Sequence, residues 1–264
     1  MTLEVKAEVY ERLQQMGSSI AVDNRSPVQL TDPEYVYLVQ DGEIDIFSQL
    51  FQDKNPVGRR HYVQTLNSGS LLLCHAFSDK QEEHRLIAVG VQQTKLLRVS
   101  VAKLEQSWDD GLLPLIDEWI EFLCGGLRTG PFPRVAQSGT LEASLSLPSG
   151  SVLSAAEEVL WLQSDSEEIR FSGRLVFTPG ESVPVLPLTR SSWIKTLKDE
   201  SVSVMATRDV VAGSLLNNSV LNRFFDYFSQ VVAERQNQEL KKQMERLSQS
   251  SLYIIPTCKK NTLF

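Results

Sequence analysis

From Tyr35 to Val99 the chain runs as short alternating apolar stretches, each closed by turn residues. That pattern restricts it to strands with close turns, an all-β sandwich or barrel. The stretch YVYLVQDGEIDIFSQL, Tyr35 to Leu50, shows it best. Tyr35, Tyr37 and Val39 share one face and Val36 and Leu38 the other; Ile44 and Ile46 then alternate with Glu43, Asp45 and Phe47. Asp41-Gly42 lies between the two runs, and Asp-Gly is a strong signal for a two-residue hairpin, because both central positions of a type I′ turn need positive φ. Further strands are expected over 60–66, 70–74, 84–91 and 95–99.

Helical periods bracket this region. Leu3, Val5, Val9, Leu13 and Met16 predict an amphipathic helix over 2–16, followed by a short strand near Ile20-Ala21-Val22. From Val101 the apolar residues Leu104, Trp108, Leu112, Leu115, Ile116, Trp119, Ile120 and Leu123 recur at three and four residues, with breaks at Gly111 and Pro114. Gly125-Gly126 and Gly130-Pro131-Phe132-Pro133 mark its end and a domain boundary. A second β-rich segment follows, with strands over 140–147, 151–153, 158–163, 168–171, 174–177 and 202–206, and a short helix opening at Ser191-Ser192-Trp193-Ile194. A long helix spans 213–250. Its first part carries a wide apolar stripe (Leu216, Val220, Leu221, Phe224, Phe225, Phe228, Val231, Val232), and its second only the narrow seam Leu240, Met244 and Leu247. Narrow seams flanked by charge suit a partner helix or a two-stranded coiled coil. The expected fold class is mainly β with α, in four parts: a β-roll domain over 1–130, a second β-rich module over 131–212, the long helix over 213–250 and a tail over 251–264.

Composition excludes some functions. The formal net charge of −7 argues against a nucleic-acid surface. Cys74, Cys124 and Cys258 are three scattered cysteines, which suggests a reducing compartment without disulfides. The charged N-terminus lacks the apolar core of a signal peptide, and no run of about 18 uncharged apolar residues is present. The chain is expected in the cytoplasm.

Candidate chemistry is sparse. His61, His75 and His84, with Cys74 beside His75, lack paired metal-ligand spacing, so no metal site is expected. Cys124 reads as a core thiol, the four tryptophans as core anchors, and Arg59-Arg60-His61 as a solvated turn. Glu157-Glu158 and the acidic run 165–168 read as surface. A Gly-x-Ser-x-Gly elbow and a Walker A stretch are both absent. No catalytic residue and no cofactor are expected.

The order of helix, short strands and paired helices resembles the cyclic-nucleotide-binding domain. YLVQDGEIDIF resembles that family's recurring hairpin. LNSGSLLLCHAF stands where the family carries its Gly-Asp-x-Phe-Gly-Glu segment, and HRLIAVGVQQTKLLRVSVAKLEQ where it has Arg-x-Ala-x-Val, a strand and the closing helix. In that family an Arg and a helix N-terminus hold the cyclic phosphate, a Glu the ribose hydroxyl, and a Gly admits the backbone. The resemblance places the Arg at Arg85, the Gly at about Leu73 and the Glu at about Cys74. Two anchors are therefore replaced, and Arg85 stands as a vestigial phosphate site in a roll filled by its own side chains.

A broader resemblance rests on VYLVQDGEIDIFSQ, GRRHYVQTLNSGSLL, LIAVGVQQTKLLRVSVAKLE and LIDEWIEFLCGGL. Together these blocks resemble the N-terminal region of the NHLM (nitrile-hydratase-leader microcin) bacteriocin system ABC transporters of the ATP-binding type. In that family a six-helix membrane domain and an ATPase domain follow. The resemblance implies a non-catalytic regulatory or accessory region, working with an exporter's membrane/ATPase subunit or its peptide cargo and peripheral at the inner membrane through that partner. Transport and ATP hydrolysis belong to the family's other domains, and the chain is expected to be a truncated or split product or a separate partner. A cyclic-nucleotide sensor, a cupin-like enzyme with converging histidines, and a free-standing homodimeric scaffold paired through 220–248 are the alternatives.

Overall fold

The computed structural model describes residues 3–75, 82–127, 132–133, 137–139, 144–164, 169–175, 185–212, 214–215 and 218–251. Helix α1 (Leu3–Met16) leads into β1 (Ser18–Val22), β2 (Val28–Gln29), β3 (Tyr35–Gln52), β4 (Asn55–Asn67), β5 (Leu71–Leu73) and β6 (Glu82–Ser100). All the strand pairs of this six-stranded sheet are antiparallel. Its frame is the pair β3 and β6, which run against each other from Tyr35↔Ser100 to Gln52↔Glu82.

Asp41-Gly42 does not close a hairpin. β3 passes through it, and the register with β6 shifts on either side of Asp41. Gly42 takes φ +85°, and across from it Gln92 takes φ +68°, so both long strands bend at one level. The buried Thr94 side chain holds the bend, its hydroxyl 2.7 Å from the Glu43 carbonyl and 3.1 Å from that of Val91. Gly90 lets β1 approach: a Cβ there would stand 2.1 Å from the Val22 carbonyl oxygen. Beyond the bend the neighbours change. One half-sheet has the order β1, β6, β3, β5 and the other β2, β6, β3, β4. Both feed one core, Val36, Leu38 and Leu96 from the first and Ile44, Ile46 and Leu86 from the second, so the strands form a roll filled by side chains. The hairpin turn falls instead at Asp53-Lys54, both at positive φ, joining β3 to β4.

Helix α2 (Val101–Gln106), a 3-10 turn at Asp110–Leu112 and α3 (Leu113–Leu127) follow. Pro114 sits in the first turn of α3, where its missing N–H costs nothing, and Gly125-Gly126 lie inside the helix rather than ending it. The second segment holds β7 (Gln137–Gly139), β8 (Ser144–Leu147), β9 (Val152–Ala155), β10 (Leu160–Gln163), β11 (Ile169–Phe171), β12 (Arg174–Leu175), β13 (Leu186–Leu188), β14 (Ile194–Thr196) and β15 (Glu200–Ala206). They form one sheet in the order β13, β10, β15, β8 and another in the order β12, β11, β14, β9, β7. The helix expected at Ser191 is a turn into β14. The hydroxyl of buried Ser192 accepts the Thr189 N–H at 2.8 Å and donates to the Pro187 carbonyl at 2.9 Å, which favours the turn over a helical start.

The chain ends its described part with α4 (Thr207–Val211) and α5 (Ser219–Ser251). Asn218 caps α5, its Oδ1 accepting from the Val220 and Leu221 N–H groups at 3.1 Å. The first half of α5 packs against the rest of the molecule on several sides. Phe224 meets Trp161 edge-on at 6.0 Å, Tyr227 meets Phe171 at 5.8 Å, Phe225 stacks on His75 at 5.2 Å, and Phe228 lies close to Gly126 of α3. Roll, second module and helices thus share one continuous core. The fold is mainly β with α. Among the described residues no helix is long and apolar enough to cross a membrane.

Candidate functional site

Arg85 lies on β6 opposite Gln49, and its guanidinium is enclosed by its own neighbours. Its Nε donates to Glu83 Oε1 at 2.6 Å, a second nitrogen pairs with the same carboxylate, Nη1 donates to Gln29 Oε1 at 3.1 Å, and the Phe51 ring lies 4.4 Å below it. The Glu83 carboxylate therefore occupies the fork of the guanidinium. Leu73 is buried as the last residue of β5, and neither its side chain nor that of Cys74 can bond a ribose hydroxyl as a carboxylate does. Loss of solvent around its sulfur pushes the Cys74 thiol up. With Tyr35, Val101, Leu221 and Phe225, these two residues line a void of only about 10 Å³. Residues 76–81, which connect Cys74-His75 to β6, lie outside the described residues.

The structure scatters the histidines. His75 is buried between Asn222 and Asp226 of α5, with ring nitrogens 3.0 and 3.3 Å from their side-chain oxygens. His84 lies 3.2 Å from the Ser48 hydroxyl, and His61 faces a groove beside α5. Among the described residues no group of three His, Cys, Asp or Glu side chains could hold a metal ion. Cys124 is fully buried, and desolvation raises its thiol to about 12, as a core thiol requires. Trp119 and Trp161 are core anchors, while Trp108 and Trp193 are only half-buried.

A cleft of about 740 Å³ lies where α3 meets the second module, and it is rich in carboxylates. Asp110, Asp117, Glu118 and Glu121 reach it from the 3-10 turn and α3; Glu157, Glu158 and Asp209 come from the other side. Most of those with defined partners are engaged internally. Asp117 accepts the Thr207 hydroxyl, which in turn accepts Trp161 Nε1 at 3.0 Å. Glu121 accepts the Ser191 hydroxyl and the Arg190 N–H, Asp110 pairs with Arg208 at 2.5 Å, and Asp209 accepts the Ala206 N–H at 3.1 Å. Desolvation, with a smaller push from Glu158, raises Asp117 to about 6, while the Thr207 and Val159 donors pull it down. The cleft is thus a polar seam joining α3 to the second module, with Glu157 and Glu158 exposed at its rim. The acidic run 165–168 lies outside the described residues.

A second groove, about 220 Å³, runs between β4 and α5. His61, Tyr62 and Val63 form one wall, Val232, Arg235, Gln236 and Glu239 the other, with Gly126 of α3 between them. Arg235 donates to the Gly126 carbonyl at 2.5 Å. The sequence carries no signal for this groove, because it exists only where two distant segments meet.

No protein-family model matches the chain, and no curated protein matches it. Among solved structures it is similar over part of its length to unbound oxidised CprK, at 16% identity over 42% of this chain and 52% of that one, TM-score 0.32. It is similar also to the CO-dependent transcription factor CooA from Carboxydothermus hydrogenoformans in its imidazole-bound form, at 13% identity over 45% and 50%, TM-score 0.32. A third is the c-di-GMP responsive global regulator CLP of Xanthomonas campestris, at 18% identity over 44% and 55%, TM-score 0.30. The matched part spans about half the length of each of those structures.

Proposed function

We propose that this chain is a non-catalytic binding and regulatory module, built on a cyclic-nucleotide-binding-like roll that has lost its ligand, and that it serves a peptide-exporting ABC transporter of the NHLM bacteriocin type. The observation that carries the loss of ligand is the Arg85–Glu83 pair, closed further by Gln29 and Phe51. A phosphate would have to displace a hydrogen-bonded carboxylate at close range, an exchange with no net gain in charge pairing. The exporter assignment rests on the four sequence blocks spread between Val36 and Leu127. Its partners are the transporter's membrane/ATPase subunit or the cargo's leader peptide, and its place is the cytoplasmic face of the inner membrane. The test is affinity capture from detergent-solubilised source-cell extract with the full chain as bait. Capture of a membrane ABC exporter subunit or of a leader peptide is expected; a folded chain that captures neither would overturn the exporter assignment.

A further inference from the structure

The geometry points to a docking surface: the outer half of α5, with the β4 groove at its root, receives an amphipathic, net-acidic helix from a partner polypeptide. This surface deepens the binding-module reading and rests on it. Of the large apolar side chains exposed among the described residues, three lie on one short stretch of α5: Leu240 at 49%, Met244 at 69% and Leu247 at 68%. Their spacing of four and three residues puts them on one side of the helix, in line with the buried Gln236 and Val232 one and two turns earlier. From Val232 to Leu247 the stripe is about 22 Å long, four turns of helix. Every side chain from Asn237 to Ser248 is exposed, so none of the described residues covers this stretch.

The inner end of the stripe is polar and incomplete. Gln236 is only 7% exposed, yet its side-chain nitrogen has no hydrogen-bond partner among the described residues. Such a buried donor calls for an acceptor oxygen. The groove it lines also holds Arg235, and exposed Arg59 and Arg60 lie just before its wall on β4. Outward along α5, Lys241 and Arg246 flank the seam against Glu239 alone. In a chain of net charge −7 this is a locally basic surface, and opposite charge selects an acidic partner. A second copy of the chain paired in register would set the same basic groove against itself.

The test uses the full chain and two fluorescently labelled synthetic peptides of about five helical turns. Both carry leucine at heptad positions a and d; one has glutamate and the other lysine at the flanking positions. Anisotropy is expected to show the glutamate peptide binding at least about tenfold more tightly, with the preference shrinking as salt rises. The double variant Met244→Glu/Leu247→Glu, checked for native thermal unfolding, is expected to abolish binding, and Gln236→Leu to weaken it severalfold. Absent or charge-independent binding would overturn the proposal. So would light scattering that shows a dimer of the unmodified chain turned monomeric by the double variant, because a second copy would then be the occupant. Exporter capture that persists while the peptide fails to bind would reject this surface and leave the module reading standing.

Discussion

The two halves of α5 belong to one uninterrupted helix and live in different surroundings. From Val220 to Val232 it presents bulky aromatic and branched side chains, and these are taken up by the roll, α3 and the second module. From Asn237 to Ser248 it keeps one leucine–methionine seam among charges, and no side chain is buried. The wide stripe is buried within the chain and the narrow one is left exposed, a distinction that the width of the apolar stripe already carries in the sequence.

The sharpest way to break that comparison is truncation at either end. Phe224→Ala opens a void under Trp161 at the meeting of α5 and the second module, with an expected loss of about 3–5 kcal/mol by denaturant unfolding. Leu247→Ala, on the exposed seam, is expected to stay within about 0.5 kcal/mol. Equal effects would mean that the outer half is packed after all.

Asp117 sharpens the picture at the joint between modules. Its folded pKa of about 6 lies above the ordinary 3.8, so between pH 4 and 6 the folded protein holds a proton that the unfolded chain has released. Stability therefore falls as pH rises through that window, and the deficit is complete above it. Asp117→Asn is expected to flatten the slope and raise stability at pH 7 by about 1 kcal/mol, after screening at the open cleft. Thermal melts of both proteins across pH 4 to 8 check it. At the start of α5, Asn218→Ala removes the cap that serves two N–H groups, and an expected loss of about 1 kcal/mol would appear in the same melts. Smallest of all is the expected effect of Glu83→Gln. It frees Arg85 from its charge partner, yet calorimetry with cyclic AMP should still show no binding, because Leu73 and Cys74 supply no ribose anchor.

Much of this fold is legible in the sequence, for physical reasons that differ by region. The helices α1, α3 and α5 carry many repeats of one period, and periodicity locates them; it finds β3 and β6 too, but as shorter pieces, with β6 divided into 84–91 and 95–99 where the structure has one strand bent near Gln92. Asp41-Gly42 misleads because positive φ at Gly42 serves a bend as well as a hairpin. The true turn at Asp53-Lys54 hides because a lysine at positive φ carries little turn signal. β13 hides behind Pro187, which an edge strand tolerates. Arg85 could be singled out from its place in the chain, but not the Glu83 and Gln29 side chains that close on it. Glu157 and Glu158 read as plain surface until α3 is brought up to them, and the buried Gln236 nitrogen depends on an approach between segments that no local pattern encodes.

The measurement that bears most directly on the central claim is a calorimetric titration of the full chain with cyclic AMP and cyclic GMP. A roll that has lost its ligand should give no heat beyond dilution at millimolar nucleotide. Saturable binding of one nucleotide per chain, abolished by Arg85→Ala in a variant that still unfolds like the parent, would contradict it and make the chain a nucleotide sensor.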